Sequence, residues 1–155
     1  MAERLRVAAL AAGAGALFWL AFPPLGLWPL SFAGAWLLLI ALSRSRSALE
    51  AAAAAFLMKL VFTLAVSPYL AGVGVWFPAL YASALAGLWC GVGAAFHGLR
   101  RWRGESAAVA CLPALWTLFD RLAPALTFLP SEIPLWATAF GDSPARALAP
   151  WTGVY

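Results

Sequence analysis

Lys59 is the charge set deepest in an apolar run, about ten residues into the segment that starts at Leu49. A buried ammonium costs several kcal/mol unless it snorkels or finds a partner, so an intramembrane lysine is a functional candidate by default. Its central position argues against snorkelling. No carboxylate falls in the middle of another apolar run, which leaves a backbone carbonyl, a lipid phosphate or a residue outside this chain as the expected partner. Asp120-Arg121 stands near the end of a later run and Glu132 further on, and both are read as structural ion pairing. Cys90 and Cys111 fall in or near apolar runs, where a thiol behaves as a small hydrophobe. With His97 the only histidine, these residue types make neither a metal cluster nor a Cys/His nucleophile, and the two cysteines need not pair. His97 itself, beside Arg100, Arg101 and Arg103, reads as an interfacial residue. No catalytic residue, metal ligand or cofactor is assigned.

The elements that position Lys59 are set by composition. Of 155 residues, 65% are hydrophobic and only 10% charged, with a mean hydropathy of +0.88. A soluble domain carries about a quarter charged residues. Too little polar surface exists to cover a globule in water, so lipid or other protein must complete the burial, and a bilayer is the expected solvent. The net charge of +4 would suit nucleic acid only if the basic residues formed one stripe. Instead Arg4 and Arg6 precede the first apolar run, Arg44 and Arg46 follow the second, and Arg100, Arg101 and Arg103 follow the fourth. Basic residues at every second boundary follow the positive-inside pattern, which places the N terminus in the cytoplasm and makes anionic headgroups the expected partner, not nucleic acid.

The predicted fold class is all-α, a polytopic integral membrane protein with about five transmembrane helices. The spans lie near residues 7–22, 29–42, 49–67, 76–96 and 107–122, with 1–122 as the membrane region. The first two are short against the ~20 residues a crossing helix needs. Between them, Phe22-Pro-Pro-Leu-Gly-Leu-Trp-Pro-Leu30 holds no charge. Its prolines end the first run, Gly26 lets the chain reverse, and Trp28 suits the headgroup level. Ser67-Pro68, Gly72 and Gly74 mark a second outer turn. The first run is not read as a cleaved signal, since it ends in Phe-Pro-Pro and not in small residues. Residues 123–155, with five prolines from Pro124 to Pro150, form an expected interfacial segment on the outer surface, including a short helix over 142–150 capped by Ser143.

Three stretches together resemble one family. Ala21-Phe-Pro-Pro-Leu-Gly-Leu-Trp-Pro-Leu-Ser-Phe32 is similar to the opening of the bacterial apolipoprotein N-acyltransferases. Leu112-Pro-Ala-Leu-Trp-Thr-Leu-Phe-Asp-Arg-Leu122 resembles their fifth-helix signature, in which an acidic residue follows a tryptophan by four positions. Leu148-Ala-Pro-Trp-Thr-Gly-Val-Tyr155 resembles the approach to their sixth helix. Order and spacing agree over the whole chain. Asp120 replaces the usual glutamate, Ala123 stands where an arginine is usual, and the usual Phe-Pro-Trp is spread over Phe128-Leu-Pro130 and Pro134-Leu-Trp136.

The resemblance implies a multi-pass protein of the bacterial inner membrane. Such an enzyme transfers an acyl chain from a phospholipid donor to the N-terminal cysteine amine of a diacylated apolipoprotein. It implies that the chemistry belongs to a Glu-Lys-Cys triad in a nitrilase-like domain beyond the sixth helix, absent from these residues, so that Lys59, Cys90 and Cys111 are not the triad. Trp28, Trp76, Trp116, Asp120 and Trp136 are the implied lipid-contact candidates. Residues 1–155 are then expected to be an inactive N-terminal portion of a longer protein. The alternative expectation is a small non-enzymatic polytopic membrane protein or half-transporter, with Lys59 lining a solute route.

Overall fold

The apolar runs are rich in Ala and Leu, the residues that lose least on entering a helix, and a bilayer leaves their backbone no other way to pair every amide. The computed structural model describes residues 1–22 and 25–127, except for the side chains of Tyr69 and residues 123–127. All regular structure among them is helical: α1 Ala2–Ala21, α2 Leu30–Arg44, α3 Ala48–Val66, a short 3-10 helix Pro68–Gly72, α4 Phe77–Arg103 and α5 Glu105–Thr127. By length and composition α1, α3 and α4 can each cross a membrane, and α2 is a shorter apolar helix. The protein is thus a helical membrane protein. The expected segment over 128–155, with Glu132, Trp136 and the helix over 142–150, lies outside the described residues.

Helices cover all five expected stretches, but their ends differ. Arg4 and Arg6 lie inside α1, and Arg100, Arg101 and Arg103 form the last turns of α4 instead of a connector. Cations at a helix C-terminus complement its dipole, so the basic run prolongs the helix. Gly104 alone separates α4 from α5, at φ 89°, a left-handed conformation that costs glycine little. Gly26 does the same for the first hairpin at φ 60°. There the Leu27 amide bonds back to the Leu20 carbonyl at 3.1 Å and the Trp28 amide to the Gly26 carbonyl at 2.8 Å. The start of α3 is fixed by Ser47, whose side chain accepts from the Glu50 amide at 3.2 Å.

α1 packs between α2 and α3, α3 packs on α4, and α4 carries α5. Small residues permit the close contacts. A Cβ on Gly15 would fall on the Met58 carbonyl of α3, and one on Gly93 on the Ala51 carbonyl, so helix backbones nearly touch at both places. Gly87, by contrast, faces open space. Larger side chains fill the rest of the core, with Phe18, Leu38, Met58, Trp89 and Phe96 buried.

One end of the bundle gathers the basic clusters. Arg4 Nε pairs with Glu50 at 3.0 Å, joining α1 to the start of α3. The Arg100 guanidinium donates to the carbonyls of Leu42, Ser43 and Ser45 at the end of α2. His97, expected at an interface, is buried there, with Nδ1 3.3 Å from Arg100.

Candidate functional site: a buried ion pair in an aromatic cage

Four helices meet around Lys59. α3 carries Lys59 and Phe62, α4 carries Trp89, α5 carries Trp116 and Asp120, and α1 contributes Phe18. Lys59 Nζ lies 3.2 Å from Asp120 Oδ1. The expectation that no carboxylate in this chain could reach Lys59 is therefore corrected, and the structural ion pairing expected at Asp120 is made with Lys59. The reason lies in α5. The fifth run is expected to end at residue 122, before Pro124, yet the helix continues to Thr127, which sets Asp120 about 10 Å from its end. A proline deprives a helix of one hydrogen-bond donor, and that need not stop it where packing holds the backbone.

The ammonium is also covered by rings. Nζ is 4.6 Å from the centroid of Trp89 and 5.5 Å from that of Phe62, both within range of a cation–π contact. The Trp89 and Trp116 rings meet edge to face at 4.3 Å, and Trp116 meets Phe18 in the same way at 5.3 Å. Phe22 closes on Phe62 at 5.0 Å, which ties the end of α1 to α3. The Lys59 side chain is 4% exposed and that of Asp120 13%, so the cation is the more deeply enclosed partner. Taking both charges out of water is costly, and only a well-made pair with ring contacts offsets it.

This arrangement binds helices together through an ion pair and ring contacts. Cys90 bonds weakly to the Ala86 carbonyl at 3.8 Å within its own helix, and Cys111 is exposed. Among the described residues no three His, Cys, Asp or Glu side chains come together. A cleft of about 570 Å³ lies at the basic end, between Met1, Glu3, Arg4, Arg46 and Glu50. Glu50 is roughly 13 Å from Lys59 along α3, so the cleft and the ion pair are separate features.

The structure thus brings together three of the sequence candidates, Lys59, Trp116 and Asp120, with Trp116 and Asp120 half-buried against protein partners. Trp28 stays in the hairpin, its ring 6.1 Å from Phe32, and Trp76 is exposed beside Phe77 at the start of α4. Trp89, Phe18 and Phe62 were not foreseen. A cation on one span and an acid on another, each flanked by aromatics at helical spacing, was the available signal.

A sequence model of the apolipoprotein N-acyltransferase N-terminal domain matches residues 14–155. No curated protein and no solved structure matches the chain. The half-buried Trp116 and the Asp120 that pairs with Lys59 both lie inside the matched region, which covers nearly all of the helical bundle, and the chain belongs to the apolipoprotein N-acyltransferase family, whose N-terminal domain it carries.

Proposed function

We propose that these residues form the membrane part of an enzyme that moves an acyl chain from phospholipid to the N-terminal cysteine amine of a diacylated lipoprotein. The observation that carries this reading is the family match over residues 14–155. In it the bundle anchors an extracytoplasmic catalytic domain in the inner membrane and gives acyl chains lateral access at its outer end. Trp28 and Trp76, both at turns opposite the arginine-rich end, are the side chains best placed to meet lipid there. The Lys59–Asp120 pair holds α5, and with it the chain leading outward, against α3.

The experiment is acylation of a synthetic diacylated lipopeptide in phospholipid vesicles, followed by mass spectrometry. The full-length protein should add one acyl chain to the cysteine amine, and residues 1–155 alone should add none. Transfer by residues 1–155 would overturn the placement of the chemistry, and failure of the full-length protein with every phospholipid donor would overturn the reaction.

A further inference from the structure

Lys59, Thr63 and Ser67 recur every four residues and so form one row along a single face of α3. All three are buried, at 3%, 2% and 0% exposure. Among the described residues the Thr63 and Ser67 hydroxyls have no hydrogen-bond partner, and neither has the indole N–H of Trp89, whose ring lies under the Lys59 ammonium.

Two other hydroxyls of this chain bond to the backbone instead. Ser45 donates to the Ala41 carbonyl at 2.9 Å and Thr117 to the Pro113 carbonyl at 2.9 Å, the usual bond to the residue four positions back. Two buried polar groups left over beside the ion pair, with Ser67 two turns further along α3, call for a small partner that both donates and accepts. Lysine adds to the demand, since it has three N–H donors and Asp120 takes one. An acyl chain can satisfy none of them, and a second carboxylate would suit the cation but not the Thr63 lone pairs.

We propose that Lys59, Thr63 and the Trp89 indole bind buried water beside the Lys59–Asp120 pair, and that the row continues as a polar seam to Ser67 at the end of α3. Water accepts from the Trp89 N–H and from a free Lys59 N–H, and donates to the Thr63 hydroxyl oxygen. Residues four apart on a helix have Cβ atoms about 6 Å apart, a span that one water bridges. Buried water of this kind is bound by about three polar partners, which is what the seam offers. The site stands whether or not the proposed acyl transfer is correct, because it rests on the unpaired polar atoms alone.

Thr63→Val tests it by the sign of its effect, since valine keeps the shape and removes the hydroxyl. The full-length protein in lipid–detergent micelles would be unfolded reversibly with denaturant. If the hydroxyl anchors water, Thr63→Val lowers the folding equilibrium constant roughly fivefold. The same change made in Lys59→Met/Asp120→Leu then has little effect, because the water has lost its anchor. Equal or higher stability of Thr63→Val in the natural background would overturn the proposal, since discarding a dry, unpaired hydroxyl should cost nothing. A second readout uses the unmodified protein: brief X-ray radiolysis in ¹⁸O water should place label on Met58 and Phe62 beside the seam, and unlabelled Met58 and Phe62 would equally overturn it.

Discussion

At the scale of the residue, the Lys59–Asp120 pair makes a prediction about which partner matters more. Breaking a buried ion pair costs about 3–5 kcal/mol because the remaining charge has no compensation. Lys59 is the more enclosed of the two, at 4% side-chain exposure against 13%. Asp120→Asn, which strands the ammonium under Trp89 and Phe62, should therefore destabilise more than Lys59→Met, which strands a carboxylate with some access to solvent. Lys59→Met/Asp120→Leu should recover most of the loss, since an apolar pair of similar volume can replace a buried ion pair at little cost. Thermal unfolding followed by tryptophan fluorescence checks this directly, because Trp89 and Trp116 flank the pair. Single variants as stable as the double variant would show that the pair carries no such load. The cation itself was legible in the sequence, as a lysine among apolar residues must be accommodated somehow. Its partner was not, because the depth of Asp120 depends on where α5 ends, and Pro124 gives a misleading sign of that end.

Among the elements, the helices were legible and their ends were not. An uninterrupted apolar run allows few structures in lipid, so each run became a helix. The ends depend on weaker preferences: Arg100, Arg101 and Arg103 are good helix formers that carry α4 onward to Gly104, past the expected end at residue 96. Packing between elements was legible only in kind. Glycines on the apolar faces announced close helix approach, but Gly93 touches α3 while Gly87 touches nothing, a difference of rotation about the helix axis that no local pattern records. Substitution separates the two. Gly93→Ala drives a methyl group into the Ala51 carbonyl, a backbone atom that cannot swing aside, and should destabilise by about 1–3 kcal/mol as α3 and α4 are forced apart. Gly87→Ala enters open space and should be neutral or stabilising by up to about 1 kcal/mol, from higher helix propensity. Denaturant titration of the two variants side by side would reveal the contrast, and equal effects would refute the α3–α4 contact.

For the whole molecule, the prediction concerns which end faces which side of the membrane. The Arg4–Glu50 bridge and the bonds from Arg100 to the end of α2 draw the start of α1, the α2–α3 connection and the end of α4 to one end of the bundle. The turn around Pro68–Gly72 and the hairpin after α1 lie at the other, where Phe22 meets Phe62. All three arginine clusters thus share an end by geometry, and not merely by alternation along the chain. The positive-inside bias then favours a cytoplasmic position for that end and for the N terminus. A thiol-accessibility experiment decides it. In the full-length protein Cys90, Cys111 and every cysteine beyond residue 155 would first be replaced by alanine, after which Val75→Cys and Arg103→Cys are made singly; Val75 is 90% exposed in the turn before α4 and Arg103 is exposed at its far end. In intact cells permeabilised only at the outer membrane, an impermeant maleimide should label Val75→Cys within minutes. Arg103→Cys should stay unlabelled until the inner membrane is opened as well. The reverse order would invert the bundle and place the hairpin, Trp28 and Trp76 in the cytoplasm. An extracytoplasmic catalytic domain would then have lost the membrane end to which it is proposed to be anchored.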